Sequence, residues 1–420
     1  MEISSSSSYD TMRLTTNISG GIFSKVSMLI FALSPILAWY DIHFPVGLGY
    51  ILILFLSAFL IVRNNFRVFV LPKFFWLLFS YVCIMWAYNN HFEFWTLFPP
   101  GGWLFFMFVL AVIGGTLSFN MNLLKKYMRI VLLIAIALFW IQFIMIQTTG
   151  SPQYCFVPNL TGQFTYEGFS YADLAAHQLE GTRPCSIFLE PSYMAYYCIT
   201  YLVLEWFGSQ SKQKLFTKDV ILILVTLIAL RSGSGIVSVA ILFSAKMLSM
   251  LWNANIVRRI TMLVFMIPLI VASFYIYLNT DSGEAMLSRS SELSTENTSG
   301  YSRVVAGYLM FDSMSLDDKI IGIPNPREVF ALERSDGRTV FYINGVQTIL
   351  ISLGYIGAFV YLLFYIGLFR KVSLQSRMSI IMLLIMGLLE SNYLNVYMML
   401  FTIIPCGEYY LHYKRRGLSR

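Results

Sequence analysis

The sequence predicts an all-α polytopic membrane protein with about twelve transmembrane helices and two large loops on the same side of the membrane. Three observations support this fold class. Hydrophobic residues make up 57% of the 420 residues and charged residues only 12%, whereas soluble domains carry about 25% charged residues. Apolar runs long enough to cross a bilayer recur along the chain. The basic residues fall in alternate loops, as expected for a multi-pass protein.

The apolar runs divide the chain into spans and loops. We predict spans at residues 26–42, 45–62, 70–88, 103–119, 128–146, 187–207, 219–231, 235–252, 261–279, 346–369, 377–390 and 393–412. The predicted segments are a cytoplasmic tail without a cleavable signal (1–25), helices 1–5 (26–146), a loop (147–186), helices 6–9 (187–279), a second loop (280–345), helices 10–12 (346–412) and a cytoplasmic tail (413–420). Polar breaks follow the seventh and eleventh spans, at 231–235 and 390–393. Each break is either a tight turn or an unwound segment that faces a cavity.

The distribution of Lys and Arg predicts the orientation. With the N-terminus inside, 21 of the 29 basic residues fall in cytoplasmic loops and tails, which is the positive-inside pattern. The net charge of +7 is therefore explained by contact with the membrane surface. We expect the lipid bilayer as a partner and no nucleic acid.

Eight basic residues remain on the outer side, where topology rules disfavour them. They are Arg183, Arg231, Arg289, Arg303, Lys319, Arg327, Arg334 and Arg338. Seven of the eight are Arg, whose planar guanidinium suits two-point binding of phosphate or carboxylate. The alternative is ordinary solvated loop charge that nearby acids balance. This alternative fits Arg231 least, because that residue lies at a helix break at membrane depth.

Glu190 is a carboxylate at the outer edge of a hydrophobic run. An ionisable group inside a membrane costs roughly 2.5–3.5 kcal/mol at a helix centre, and such groups usually serve a function. Pro191 fits the first turn of a helix, where its missing N–H is not needed. The alternative is that Glu190 caps this helix and pairs with Arg183.

The first loop holds two cysteines and several aromatic residues. Cys155 and Cys185 would face an oxidising compartment and either form a disulfide or remain thiols. The aromatic residues are suited to stacking on sugar rings and equally to packing a small loop subdomain. The chain contains no P-loop, HExxH motif, nucleophile elbow or metal-spaced Cys/His cluster. We therefore expect no metal and no soluble cofactor.

Four local patterns, in this order, carry a resemblance to a known family. They are Arg183 with Phe188-Leu189-Glu190-Pro191-Ser192-Tyr193, then Leu230-Arg231-Ser232-Gly233-Ser234-Gly235, then Ser302-Arg303 with Ile320-Ile321-Gly322-Ile323, and last Ile343-Asn344-Gly345 with Leu353-Gly354-Tyr355-Ile356-Gly357. Together with the span pattern, the chain resembles the O-antigen polymerase (Wzy) and O-antigen ligase superfamily. Ile343 stands where the ligases carry a His, which favours the polymerase branch. Arg289 to Gly300 and Arg334 to Gly345 also have the Arg-x10-Gly spacing described for polymerases.

The resemblance implies a GT-C-like membrane glycosyltransferase of the bacterial inner membrane, with both termini cytoplasmic and both large loops periplasmic. Its substrates would be a donor glycan and an acceptor glycan, each linked to undecaprenyl diphosphate. The undecaprenyl diphosphate of the donor would be the leaving group. A chain-length regulator protein is a candidate partner.

Several residues of this chain suit that chemistry. A leaving diphosphate needs cations placed where negative charge grows, and an acceptor hydroxyl needs a base. The predicted catalytic residues are Glu190, Arg231 and Arg303. The predicted substrate-binding residues are Arg183, Tyr193, Arg289, Arg327 and Asn344. Glu390 is the rival acid to Glu190.

Two other functions stay open at this point. One is ligase-type transfer of the glycan to lipid A core. The other is a lipid-glycan flippase or transporter, because broken helices and intramembrane charges also occur in transporters. The outer basic residues gather on one side and no two-halves repeat is visible, and both features favour an enzyme.

Overall fold

A computed structural model describes residues 21–38, 40, 47–63, 72–89, 119–150, 184–188, 190–208, 215–252, 255, 257, 264, 275, 279, 301–323, 343–390 and 396–418. Within these residues the chain is all-helical and contains no strand. The predicted all-α class is therefore confirmed for the described part of the chain.

Twelve α-helices and one π-helical turn account for most of the described residues. The helices are α1 (Ile22–Leu37), α2 (Leu48–Arg63), α3 (Lys73–Asn89), α4 (Met121–Thr149), α5 (Pro191–Phe207), α6 (Lys218–Ala229), α7 (Gly233–Trp252), α8 (Gly307–Ser313), α9 (Leu316–Ile321), α10 (Gly345–Phe369), α11 (Leu374–Leu389) and α12 (Val396–Leu418). The π-helical turn (Ser302–Ala306) runs directly into α8.

Ten of the twelve predicted spans overlap a described helix. Most residues of the two spans predicted at 103–119 and 261–279 lie outside the described residues. Three of the described helices, α4, α7 and α10, are long and apolar enough to cross a membrane by themselves, and shorter apolar helices accompany them. The total of twelve spans, the segment boundaries and the two loops remain predictions. Part of the second predicted loop is helical, since α8 and α9 lie within it.

Helix α5 is the centre of the bundle. Its residues Ser192 to Leu204 are all buried, as is Trp206, and a helix that is buried on every side lies inside a larger assembly of helices. Helices α4, α6, α7, α11 and α12 surround it. The residue that begins α5 therefore lies among several packed helices.

Two ion pairs mark the end of the bundle at which α5 finishes, which we call the Glu205 end. Lys125 of α4 binds Glu205 at 2.7 Å, and Arg129 binds Asp219 of α6 at 2.5 Å. Helix α11 begins at the same end, because the Gln375 side-chain amide donates to the Leu204 carbonyl at 3.3 Å.

The opposite end of α5, which we call the Glu190 end, also holds ends of α6, α7, α10 and α11. Helix α11 runs antiparallel to α5 and ends there at Leu389. The turn between α6 and α7 is also there, because the Tyr196 hydroxyl lies 3.3 Å from the Ser234 hydroxyl. Helix α10 begins beside the end of α11, since the Gly345 N–H donates to the Glu390 carbonyl at 2.8 Å.

Candidate active site

Glu190 is the N-cap residue of α5, and Pro191 occupies its first turn. The predicted span began at residue 187, but the helix starts four residues later. The backbone of Glu190 is extended and its carbonyl accepts the Tyr193 N–H at 3.1 Å. Its carboxylate makes no capping hydrogen bond to the α5 backbone and instead accepts the Ser192 hydroxyl at 3.1 Å. The helix-capping alternative therefore lacks its hydrogen bond.

The five residues Pro184 to Phe188, which we call the entry segment, explain the late helix start. The segment is non-helical and almost wholly buried, and Ser186 has a left-handed backbone with φ of 59°. The buried Gln142 of α4 holds Ser186 by two bonds, from the Ser186 N–H to Oε1 at 2.8 Å and from Nε2 to the Ser186 carbonyl at 3.2 Å. Irregular backbone at membrane depth is tolerated only where protein or a cavity satisfies it, and Gln142 does so here.

Further contacts fix the entry segment within the bundle. The Ser186 hydroxyl donates to the carbonyl of Ala135, the middle residue of α4, at 2.6 Å. The Tyr40 hydroxyl donates to the Ile187 carbonyl at 3.1 Å, and the Phe188 ring packs on the Tyr197 ring at 5.5 Å between centroids. The position from which Glu190 leaves the segment is therefore set by several helices at once.

Cys185 belongs to the entry segment. It is fully buried, and its thiol contacts the Phe188 carbonyl. Cys155 lies outside the described residues, so the disulfide between the two remains a hypothesis.

Arg231 lies in a tight turn between α6 and α7. Of the two alternatives for this break, a tight turn or an unwound segment, the structure has the tight turn. Its backbone is left-handed, with φ of 50°, a conformation that residues other than Gly adopt rarely and mostly at special sites. The turn is closed by Ser232, whose hydroxyl accepts the Gly235 N–H at 3.3 Å. The turn packs on α5, because a Cβ added at Gly235 would lie 2.7 Å from the Ala195 Cβ.

Asn344 caps α10 and is almost fully buried, with 2% of its surface exposed. Its side-chain oxygen accepts the Gln347 N–H at 2.8 Å, and its own N–H donates to the Gln347 Oε1 at 2.9 Å. This is a capping box. The structure thus adds a helix-capping role for Asn344, while its binding of substrate remains a prediction. Its neighbour Glu390, the rival acid, is also buried.

The other predicted site residues fall into two groups. Tyr193 lies in the first turn of α5 and is buried. Arg303 belongs to the π-helical turn, which packs against α11 and continues into α8 on the surface of α10. Outside the described residues lie Arg183, Arg289 and Arg327.

The structure brings five predicted residues to the Glu190 end. They lie on elements that pack on one another through α5, α7, α10 and α11, and they are Glu190, Tyr193, Arg231, Arg303 and Asn344. Gln347 is the residue at this end that the sequence analysis missed. The Asn-x-x-Gln spacing before an apolar run is the pattern that would have identified it. In the part of the chain that the structure describes, no group of three or more His, Cys, Asp or Glu side chains could hold a metal ion.

Comparison with protein-family models identifies the chain. The model described as WcaD colanic acid polymerase matches residues 29–403. The chain belongs to this family. A search of curated proteins finds no match. The WcaD match confirms the resemblance to Wzy-type polymerases, and it makes the chain an integral membrane protein of a family of repeat-unit polysaccharide polymerases.

Proposed function

We propose that the protein joins oligosaccharide repeat units carried on undecaprenyl diphosphate, at the periplasmic face of the inner membrane. The match of the WcaD polymerase family over residues 29–403 carries this proposal, because it includes every element of the Glu190 end. Polymerisation is favoured over ligase-type transfer by the same match and by Ile343, which stands in place of the ligase His. A polymerase family also argues against a flippase.

The reaction places one requirement on each side of the bond that breaks. An acceptor hydroxyl attacks the anomeric carbon of the donor glycan, and the bond from that carbon to the carrier diphosphate breaks. The hydroxyl proton passes to a base, for which we propose the Glu190 carboxylate. The leaving undecaprenyl diphosphate takes the bonding electrons, so negative charge grows on its phosphoryl oxygens.

Arg231 and Arg303 are proposed to stabilise that charge. Pre-placed cations at the leaving group act in a site where water is scarce, and removal of one such group commonly lowers the rate by about 10²–10³. The left-handed turn and the π-helical turn that carry these two arginines both adjoin helix ends of the Glu190 end. Arg183, Arg289 and Arg327 are proposed to bind the diphosphates or sugars from the outer loops, with Tyr193 and Asn344 orienting them.

The charges of the Glu205 end support the proposed orientation. The Glu190 end holds both acidic and basic site candidates, whereas the Glu205 end is rich in basic residues. The basic residues of the Glu205 end include Lys125, Lys126, Arg129, Lys218, Arg370 and Lys371. By the positive-inside rule this end faces the cytoplasm, which leaves the Glu190 end facing the periplasm.

A complementation experiment tests the function and the proposed roles together. The gene is deleted in its host, and the polysaccharide and its lipid-linked precursors are separated by length. We expect the wild-type gene to restore long chains, and Glu190→Gln, Arg231→Ala or Arg303→Ala to leave single-repeat glycans. For the acid, a loss of about 10²–10⁴ in rate is expected.

Two controls match these changes at the Glu205 end. Glu205→Gln removes a carboxylate from the other terminus of α5, and Arg370→Ala removes an exposed Arg from the α10–α11 turn. Both should give long chains at equal protein levels. Failure of the wild-type gene to restore polymer would reject the proposed function, whereas long chains from Glu190→Gln would reject only the base role.

A further inference from the structure

The side-chain amide of Gln347 has one orientation that its neighbours fix. Gln347 is fully buried, and one atom of its amide lies 2.9 Å from the Asn344 main-chain nitrogen. Because that N–H can only donate, the facing atom has to be the oxygen, Oε1. The nitrogen, Nε2, therefore presents its two hydrogens away from this bond.

Nothing in the described part of the chain accepts those hydrogens. Nε2 is a buried donor with no hydrogen-bond partner among the described residues. Leaving a buried donor unsatisfied costs about 1–3 kcal/mol, so native structures seldom do it without a reason. A substrate that arrives from outside the chain is one such reason.

The surroundings of this amide favour an anionic acceptor. The capping box places the amide at the N-terminal end of the 25-residue α10, where the helix dipole is positive. Gly307, which directly follows the turn that carries Arg303, packs on the same amide. A Cβ added at Gly307 would lie 2.5 Å from Oε1, so the absence of a side chain lets this turn approach Gln347 closely.

We propose that Gln347 is a further substrate-binding residue, whose Nε2 donates to a phosphoryl oxygen of the carrier diphosphate beside Arg303. This inference rests on the proposed function. The Gly345 N–H already donates to the main-chain carbonyl of Glu390, whereas the Nε2 of Gln347 is a side-chain donor at this helix end that no described residue uses.

Gln347→Glu separates substrate binding from helix capping. Glu has the same shape and serves equally well as the third residue of a capping box, but its carboxylate has no N–H and repels a phosphoryl oxygen. The assay uses the purified full chain and the lipid-linked repeat unit that the deletion strain accumulates. We expect KM to rise about tenfold to a hundredfold, the size of a lost hydrogen bond to a charged group, with little change in kcat. The melting temperature should fall, because a carboxylate in this buried place loses its hydration.

Gln375→Glu is the matched control, because Gln375 is a buried glutamine at the Glu205 end. It should keep the wild-type KM. Gln347→Met lacks the donor without adding charge, and it should also raise KM. Because Met also lacks the Oε1 that accepts the Asn344 N–H, its melting temperature should fall as well. If Gln347→Glu fails to accumulate, Gln347→Met is measured in its place. A raised KM is again expected, and an unchanged KM would again contradict the inference.

Three results would overturn the inference. A KM within about twofold of wild type in both Gln347 variants shows that the amide does not bind substrate. A normal KM in Gln347→Glu with a raised KM in Gln347→Met assigns a sugar hydroxyl, which can donate to a carboxylate, in place of the phosphoryl oxygen. Absence of polymerisation by the wild-type chain would reject the proposed function itself, and this inference with it.

Discussion

Arg231 has a backbone conformation that ordinary side chains avoid. Its φ of 50° places the Cβ close to its own carbonyl, which costs roughly 1–2 kcal/mol. Gly would fit the turn between α6 and α7 without this cost. A strained backbone of this kind is typical of functional sites, which agrees with the role proposed for the Arg231 guanidinium.

Replacing Arg231 by Gly should therefore separate stability from activity. We expect Arg231→Gly to raise the free energy of unfolding by about 1 kcal/mol, because the strain is relieved, and to lower polymerisation about a hundredfold or more. Thermal unfolding in detergent and the length of the glycans made in cells measure the two effects. Arg370→Gly is the control, since Arg370 has an ordinary helical φ of −68°; it should lose stability slightly and keep activity. An Arg231→Gly protein that is less stable or fully active would contradict this account.

Sequence alone could identify some of these residues and not their geometry. Pro191 was predicted to fit the first turn of a helix, although the span itself was predicted from residue 187, and Arg231 was predicted at a helix break. The left-handed backbones of Ser186 and Arg231 depend on contacts with distant helices, which one sequence does not contain. Gln347 did carry a readable signal, the capping-box spacing, but its unsatisfied Nε2 appears only once α8 is packed on α10.

Two of the four family patterns meet at a close contact between elements. Gly322, which ends α9, has φ of 93°, and Gly354, at a kink within α10, has φ of 61°. A Cβ added at Gly354 would lie 2.5 Å from the Gly322 nitrogen. The Ile323 N–H donates to the Ile351 carbonyl at 2.8 Å. The Tyr81 hydroxyl of α3 is 2.6 Å from the Ile321 carbonyl.

This contact lies about 14 Å into α10 from its first residue, at 1.5 Å per residue. Gly354→Ala should destabilise the protein by about 2–5 kcal/mol, because it adds both a left-handed Ala and an overlap with backbone atoms. Gly367→Ala, in the same helix, is the control: the nearest atom to its added Cβ is 3.5 Å away, and Ala favours a helix by up to about 1 kcal/mol. Melting temperatures of the two purified variants measure the difference. Equal stability of both would show that the chain adapts freely at Gly354.

The predicted spans agree with the structure where an apolar run forms one regular helix. Residues 301–323 fall within the predicted loop 280–345, and they form two short helices and a π-helical turn against α10 and α11. Of the entry segment, only Ile187 and Phe188 were predicted to lie in a span, because they are apolar, while residues 184–186 were assigned to the first loop. Its departure from helix depends on Gln142, which is 44 residues earlier in the chain than Ser186.

At the scale of the whole molecule, the two ends of the bundle differ in charge chemistry. The Glu205 end holds carboxylates that are paired, as in Lys125–Glu205 and Arg129–Asp219, within a surplus of basic residues. The Glu190 end holds the strained turn, the capping box and the candidate acids. Such a division suits an enzyme that is anchored by one face and works at the other. The orientation of the bundle in the membrane then decides whether the proposed reaction takes place in the periplasm.

Reporter fusions to the full chain and to internal positions test this orientation. A fluorescent protein attached after Arg420 should fold and fluoresce, because the C-terminus is expected in the cytoplasm. Alkaline phosphatase, which is active only after export, should be active when it is fused within the predicted loop 280–345 and inactive when it is fused at Ser373, in the α10–α11 turn of the Glu205 end. The basic residues around Ser373, Arg370 and Lys371 among them, are the physical reason, since they resist translocation. Active phosphatase at Ser373 would place the Glu205 end outside, and Glu190 and Arg231 would then face the cytoplasm, away from any periplasmic substrate.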